Sequence, residues 1–184
     1  MEKKSVVLIV AHEGFQPTEY QGTRQALGNA GYDMKIASNK SGSAISSDCQ
    51  YTCLVKNQEI NVVLLIKDVV PENHAGIVLI GGPGALDNLD NEITYFLLKR
   101  AVANGVPVGA ICISPRILAH AGILQGKNAT GWDEDTELAR VFNKHGVNYV
   151  HEDVVTDGNI VTATGPKVAQ EFGEAIAQML DAGK

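Results

Sequence analysis

Val106 to Pro115 reads VPVGAICISP, an apolar strand pattern that runs straight into a helix start. Strand, sharp turn and helix are the parts of a nucleophile elbow, and they place Cys112 on the turn. Pro115 suits the first helical position, and the Ser114 hydroxyl suits the cap before it. Because free N–H groups at a helix start stabilise a thiolate, we expect a reactive Cys112 with a pKa below ~8.5. The alternative is a small buried residue at the end of a core strand.

Outward from this segment, apolar runs of strand length alternate with segments of helical period, which is typical of a parallel sheet covered on both faces. The predicted strands are Ser5–Ala11, Asp33–Ser38, Asn61–Ile66, Ala75–Ile80, Val106–Ile111 and Ile160–Ala163. The predicted helices are Thr18–Ala30, Asn91–Asn104, Ser114–Ala121, Asp133–His145 and Pro166–Leu180. The first four are followed by glycines suited to a left-handed C-cap, namely Gly31, Gly105, Gly122 and Gly146. Between Ser41 and Glu59 the pattern predicts a hairpin or an irregular insert.

Composition narrows the class of protein. With 184 residues, 45% of them hydrophobic and 20% charged, the chain predicts one α/β domain over residues 1–184. A net charge of −6 with scattered Lys and Arg disfavours nucleic acid as a partner. The first apolar run ends at His12 without a cleavage site, and no run approaches the ~18 apolar residues of a membrane span. Three cysteines are too few for a secreted scaffold, so we expect a cytoplasmic protein without membrane contact.

Candidate site residues follow the predicted strands, since an open parallel sheet places its active crevice beyond the carboxyl ends of the strands. Three strand ends are polar, glycine-rich or nucleophilic, and they supply His12 with Glu19, the loop Gly81–Gly84, and Cys112. The N–H groups of Gly82 and Ile113 are candidates for an oxyanion hole beside the sulfur. A phosphate loop is the alternative, but the glycines lack GxGxxG spacing and no Gly-Lys-Ser/Thr follows.

Cys49 and Cys53 are the other two cysteines of the chain. Their spacing suits a metal pair, yet no second Cys or His pair with zinc spacing follows. We expect peripheral thiols, near a subunit contact, and no metal.

Several of these residues together resemble the ThiJ/PfpI superfamily, which includes the Parkinson-associated protein deglycase and the PfpI intracellular protease. The resemblance rests on Ala110–Cys112 with Ser114-Pro115, on Ile77–Gly82, on Glu19, and on Asp157–Thr162 with Gly165-Pro166. It implies the class I glutamine-amidotransferase-like fold, a flavodoxin-like three-layer sandwich with a mostly parallel central sheet. It also implies a reactive Cys112 beside Glu19, backbone donors at Gly82 and Ile113, and a homodimer or higher homo-oligomer. We expect no cofactor.

Two positions depart from the family pattern. The protease-like branch has a histidine directly after its cysteine, where this chain has Ile113. The deglycase branch has a histidine at the position that corresponds to Trp132. The resemblance therefore leaves Glu19 and the helix N-terminus to activate Cys112. His12, at the end of the first strand, is the histidine placed to reach the pocket, and with Trp132 it completes the pocket candidates.

The leading functional hypothesis is a cysteine-dependent enzyme that acts on small reactive carbonyls, as a glyoxalase or deglycase does. A protonated Glu19 that donates to the sulfur suits addition to a carbonyl, because like charges at the two groups repel. One alternative is a redox-responsive stress protein or chaperone that senses peroxide through Cys112. A small-molecule hydratase or amidase is another, and so is an intracellular protease by family membership. Peptide cleavage fits less well, because Ile113 cannot protonate the leaving amine.

Overall fold

The computed structural model describes residues 4–47 and 58–183. Within these ranges the strands are β1 Val6–Ile9, β2 Glu13–Phe15, β3 Met34–Ser38, β4 Gly42–Ser46, β5 Glu59–Val62, β6 Leu64–Leu65, β7 Gly76–Leu79, β8 Val108–Ile111, β9 Asn128–Ala129, β10 Asn148–Tyr149, β11 Val154–Asp157 and β12 Ile160–Ala163. The helices are α1 Pro17–Asn29, α2 Ala85–Leu89, α3 Glu92–Ala103, α4 Pro115–His120, α5 Glu137–Lys144 and α6 Ala169–Ala182.

A central sheet of seven strands, counted over the described residues, runs in the order β11-β12-β8-β7-β1-β3-β6. All neighbours pair in parallel except β11, which pairs antiparallel with β12 at one edge. The predicted mostly parallel sheet is therefore confirmed. Its parallel strands end together at one edge, where β1, β7 and β8 deliver the candidate site residues.

Both faces of the sheet are covered, as continuous apolar strands require. Along β1, Val7 and Ile9 belong to one apolar cluster, whereas Val6 and Leu8 belong to another. The first cluster includes residues of α3, α4 and α5, and the second includes residues of α1 and α6. These helix, sheet and helix layers are the flavodoxin-like sandwich expected from the sequence.

The predicted strand Asn61–Ile66 is wrong as a single element. Its first part belongs to β5, which pairs antiparallel with β4 in a small sheet with β2. Its second part is β6, which pairs in parallel with β3 at the edge of the main sheet. The chain changes sheets at Val63, which is exposed, and an apolar run alone does not reveal such a change. The segment Ser41–Glu59, predicted as a hairpin or an irregular insert, contributes β4, which pairs antiparallel with β5 at its far end.

Helix ends follow the sequence closely in α1, α3 and α4, whereas α5 and α6 differ from the prediction and α2 was not predicted. Helix α6 begins at Ala169 rather than at Pro166, because Pro166–Val168 form a 3₁₀ turn, and it runs to Ala182 rather than ending at Leu180. The four cap glycines Gly31, Gly105, Gly122 and Gly146 all have positive φ. Helix α5, however, begins at Glu137 rather than at Asp133, because the Asp133 carboxylate accepts the Leu138 N–H at 2.8 Å and caps the helix from outside. None of the helices in the described part of the chain has the length and apolar character to cross a membrane.

We expect Gly173→Ala to lower the free energy of unfolding by about 1–3 kcal/mol, because helices α1 and α6 approach closely there. A Cβ at Gly173 would lie 2.7 Å from the Cβ of Ala26 and 3.0 Å from the carbonyl oxygen of Thr23. Gly28→Ala in α1 is the matched control, since its nearest neighbour would be Met34 Cε at 3.9 Å. Urea unfolding should show this control unchanged or stabilised by up to ~1 kcal/mol. Equal effects of the two substitutions would contradict the close approach.

Candidate active site

Cys112 occupies the sharp turn between β8 and α4 that the sequence predicted. Its φ of 65° is left-handed, a conformation that costs a residue with a Cβ free energy and persists only where neighbours hold it. Two main-chain hydrogen bonds hold it here. The Cys112 N–H donates to the Ala163 carbonyl at 2.9 Å, and the Cys112 carbonyl accepts the Trp132 N–H at 2.8 Å. The turn is thus tied to β12 on one side and to the segment before α5 on the other.

Ser114 has a different role from the predicted one. Its hydroxyl makes no capping hydrogen bond to the start of α4 and instead donates to the Ile80 carbonyl at 3.0 Å. The prediction of a capping hydroxyl is therefore wrong, while Pro115 does stand at the helix start. Ser114 joins the elbow to the end of β7, the strand that precedes the glycine loop.

Glu19 lies in the first turn of α1 and is fully buried, with 0% of its surface exposed. The Gln16 side chain caps this helix and accepts the Glu19 N–H at 3.0 Å, while the Gln16 N–H donates to the Gly81 carbonyl at 2.9 Å. The Gly81 N–H in turn donates to Glu19 Oε2 at 2.9 Å, and Glu19 hydrogen bonds to the Cys112 side chain. Glu19 and Cys112 are therefore neighbours, as the sequence predicted.

The glycine loop after β7 leaves no room for side chains. A Cβ at Gly81 would lie 2.6 Å from the Cβ of Cys112 and 2.7 Å from Glu19 Oε2. Gly82 has a φ of +116°, and a Cβ there would lie 2.5 Å from the Gln16 nitrogen. This close approach brings the Gly82 N–H to the Cys112 sulfur, where it and the Ile113 N–H both donate. The two predicted backbone donors thus lie beside the sulfur.

Burial controls the ionisation of Glu19. It raises the pKa of this carboxyl from 4.5 to about 8, against the hydrogen bonds with Cys112 and Gly81, which lower it. Oε1 has no hydrogen-bond partner among the described residues, so an ionised carboxylate would leave a buried, charged oxygen without a donor. At neutral pH, Glu19 therefore holds its proton in most molecules.

Burial also raises the pKa of the Cys112 thiol, and the Glu19 carboxylate raises it further by its charge and by accepting a hydrogen bond. The Ile113 and Gly82 N–H groups act in the opposite direction and lower it. The expectation of a Cys112 pKa below the free value is therefore reversed, because burial beside a carboxyl outweighs the backbone donors. Glu19 and Cys112 titrate as a coupled pair, so losing the first proton makes the second harder to lose. A Cys112 thiolate is therefore disfavoured while Glu19 is ionised.

The two pocket candidates have their contacts away from the sulfur. The His12 ring places Nε2 3.2 Å from the Ser41 carbonyl and Nδ1 3.9 Å from Glu13 Oε1. Trp132 reaches Cys112 with its main chain, while its ring lies under the Arg116 guanidinium at 5.5 Å. Within the described residues, neither side chain supplies Cys112 with an acid or base.

Arg116 and Gln16 are site-forming residues that the sequence analysis did not single out. Arg116 is 4% exposed in the first turn of α4, where an apolar residue would be expected. A cation inside an otherwise apolar stretch was the available signal, because a buried guanidinium needs a partner. Gln16 gave no signal, since it is a less common helix cap than Ser, Thr, Asp or Asn.

The remaining sequence candidates and the main cavity lie away from Cys112 or outside the described residues. Cys49 and Cys53 fall outside the described residues, so the expectation of peripheral thiols stays a prediction. In the part of the chain that is described, no three His, Cys, Asp or Glu side chains gather to hold a metal ion. A cavity of about 560 Å³ beside Ala75 and Val106 lies at the amino ends of β7 and β8, on the sheet edge opposite Cys112.

We expect the contribution of Glu19 to the stability of the protein to fall as pH rises from 4.5 to 8, because the folded chain keeps a proton on Glu19 that the unfolded chain releases. The contribution of this group should decrease by about 1.4 kcal/mol per pH unit in that window and be fully present below it. Urea unfolding at several pH values, with Glu19→Gln as the comparison, isolates Glu19, since the other groups titrate in both proteins. Parallel stability curves for the two proteins would show that Glu19 is ionised when folded.

Sequence comparison finds a family and several relatives. The model of the DJ-1/PfpI family matches residues 4–179. An uncharacterized protein of Methanocaldococcus jannaschii is 30% identical over 98% of this chain and 84% of its own. An uncharacterized protein of Staphylococcus epidermidis is also 30% identical, over 97% of this chain and 99% of its own.

Solved structures agree with the sequence comparison. A ThiJ/PfpI domain protein from Brachyspira murdochii superposes with a TM-score of 0.86 at 27% identity and covers 99% of both chains. DJ-1beta of Drosophila melanogaster superposes with a TM-score of 0.82 at 28% identity, over all of this chain and 92% of its own. The predicted resemblance to the ThiJ/PfpI superfamily is thus confirmed, and it extends over nearly the whole chain.

Proposed function

We propose that this chain, which belongs to the DJ-1/PfpI family, is a Cys112-dependent enzyme that converts small reactive carbonyls to hydroxy acids. The observation that supports this most directly is the fully buried Glu19 beside Cys112, since burial raises the pKa of this carboxyl to about 8. A proton donor and acceptor is most effective when its pKa lies near the working pH. Glu19 therefore suits a reaction in which one group must accept and return protons repeatedly.

The first step is addition of the thiol to an α-oxoaldehyde such as methylglyoxal. The Cys112 sulfur forms a bond to the aldehyde carbon while the Glu19 carboxylate takes the S–H proton. The electron pair of the C=O double bond moves onto oxygen, where the Gly82 and Ile113 N–H groups stabilise the charge. Glu19 then returns the proton to that oxygen and leaves a hemithioacetal.

The second step moves a hydrogen between the two carbonyl carbons. The Glu19 carboxylate takes the C–H proton of the hemithioacetal carbon, and the electron pair passes to the neighbouring carbonyl as an enediol. Glu19 returns the proton to that neighbouring carbon, while the hydroxyl proton of the first carbon passes to the oxygen of the second. The first carbon thereby becomes the oxidised thioester carbonyl on Cys112, and the second carbon is reduced and carries a hydroxyl. Water then adds to the thioester, the C–S bond breaks, and the thiol and a 2-hydroxy acid are released.

Peptide cleavage is not supported by the same residues. A leaving amine needs a proton from an acid placed near the scissile bond, and Ile113 stands where a base would follow the cysteine. The His12 ring bonds with the Ser41 carbonyl rather than with Cys112. A carbonyl that rearranges without a leaving amine is the better match for a site with Glu19 alone.

Peroxide oxidation of Cys112 is the second candidate, and the same protonated Glu19 favours it. The sulfur attacks one peroxide oxygen, the O–O bond breaks, water leaves, and a sulfenic acid forms; a second peroxide gives the sulfinic acid. An oxidised sulfur carries acceptor oxygens, and a neutral carboxyl within hydrogen-bond reach donates to them. Burial holds Glu19 in that neutral form at neutral pH.

We expect repeated turnover of methylglyoxal to lactate, with a rate that rises from pH 6 to 8 as Glu19 gains its basic form. Cys112→Ser and Glu19→Gln should each lower the rate at least ~100-fold, because one removes the nucleophile and the other the proton acceptor. A Cys49→Ser/Cys53→Ser variant, which keeps Cys112 as its single thiol, should retain the rate.

Lactate measured against enzyme equivalents distinguishes the two candidates. A yield that stops at one equivalent, together with stoichiometric peroxide consumption and an oxidised Cys112 in peptide mass analysis, would reject turnover and favour the sensor. Lactate formed by the Cys112→Ser protein at the native rate would reject the mechanism.

A further inference from the structure

Arg116 is a buried cation one helical turn beyond Cys112. Its guanidinium forms a bidentate ion pair with Asp135, in which Nη1 donates to Oδ2 at 2.9 Å and Nη2 pairs with Oδ1. These hydrogen bonds hold the pKa of Asp135 below its ordinary range, so the pair is ionised at neutral pH. Burying a guanidinium is costly, and a fork of this kind directs it in a fixed orientation. The neighbours of Arg116 in α4, Pro115 and Ile117, are buried and apolar.

The main chain of Trp132 connects this ion pair to the elbow. Its N–H donates to the Cys112 carbonyl at 2.8 Å, and its own carbonyl accepts a hydrogen bond from Arg116 Nη2 at 3.1 Å. The Arg116 guanidinium also lies over the Trp132 ring, 5.5 Å from its centroid. The main chain of Trp132 is thus held by Arg116 through its carbonyl and by Cys112 through its N–H.

The conformation of Cys112 depends on such support. A left-handed φ of 65° is strained for a residue with a Cβ and persists where the surroundings over-determine it. The same φ sets where the sulfur lies relative to Glu19 and to the Gly82 and Ile113 N–H groups. A turn that relaxes would carry the sulfur away from these partners, and its ionisation would no longer respond to Glu19.

We propose that Arg116 is a positioning residue: paired with Asp135, it fixes the Trp132 main chain, which holds the Cys112 turn in register with Glu19. This inference rests on the proposed function only for the role of Cys112 as the reacting atom. Arg116 acts by geometry rather than by charge, since the groups that act on the Cys112 thiol are Glu19, Ile113 and Gly82. A cation that cannot form the fork, such as lysine, therefore does not replace it.

The test measures how strongly Glu19 controls Cys112, with and without Arg116. Iodoacetamide alkylation of Cys112 is followed at pH 9 by peptide mass analysis, which separates it from the other two cysteines. At this pH the Glu19 carboxylate suppresses the thiolate, so Glu19→Gln should speed alkylation about tenfold in the otherwise native protein. In the Arg116→Met and Arg116→Lys backgrounds, the same Glu19→Gln change should alter the rate less than twofold.

The Arg140→Met background is the matched control, since Arg140 pairs with Glu137 on the exposed side of α5, and there the full tenfold effect should remain. Asp135→Asn serves if the Arg116 variants do not fold, because Asp135 is partly exposed, and it should also reduce the effect. An unreduced tenfold effect in the Arg116→Met or Asp135→Asn background, even with a lowered melting temperature, would show a structural role only and overturn the proposal. A full tenfold effect of Glu19→Gln in the Arg116→Lys background would overturn it as well. No carbonyl substrate enters the assay, so its outcome is independent of whether the protein turns over methylglyoxal.

Discussion

The contact between the buried Glu19 carboxyl and the Cys112 side chain is the interaction around which the rest of the site is arranged. It requires that α1 begin beside the carboxyl ends of the strands, which the Gln16 cap and its bond to Gly81 achieve. It also requires glycine at positions 81 and 82 after β7, where a side chain would clash, and a left-handed turn after β8. Three separate segments of the chain therefore meet at one pair of ionisable groups.

Glu19 is fully buried and Cys112 is partly buried, and these surroundings determine the chemistry of the pair. In water a carboxyl is ionised at neutral pH and a thiol is mostly protonated. Here burial raises the pKa values of both Glu19 and Cys112, so both groups hold their protons more strongly. A site that carries at most one charge at neutral pH favours reactions in which protons are passed between groups and no net charge accumulates. Carbonyl addition with rearrangement fits this description, and so does a sulfur oxidised beside a neutral donor. A protease would need a second acid, which the contacts of His12 and Trp132 do not provide.

Much of the fold could be predicted from the sequence because its signals are local. Fully apolar strands such as Val6–Ile9 and Val108–Ile111 indicate a parallel sheet covered on both faces, and glycines mark the helix ends. The strand that splits at Val63 was not predictable, because pairing partners distant in sequence decide which sheet each half joins. Asp133 was read as helical for a related reason, since a carboxylate can sit inside a helix or cap it from outside.

The residues of the site could be predicted from the sequence, but their ionisation and some of their contacts could not. Chain order and residue type identified Cys112, Glu19 and the two backbone donors, because each follows or faces a strand end. The direction in which the Cys112 pKa shifts could not be predicted. A sequence shows where a helix begins and presents its N–H groups, but it does not show how deeply a side chain is buried. The Ser114 hydroxyl bond to Ile80 and the Arg116–Asp135 pair likewise depend on tertiary neighbours.

The protonation state of Glu19 in the folded protein is the central claim, and infrared spectroscopy measures it directly. Difference spectra between the native protein and Glu19→Gln at pH 6.5 should contain the C=O stretch of a protonated carboxylic acid, which disappears with a midpoint of about 8 as pH rises. A carboxylate signal already present at pH 6.5, with no protonated band, would contradict the account.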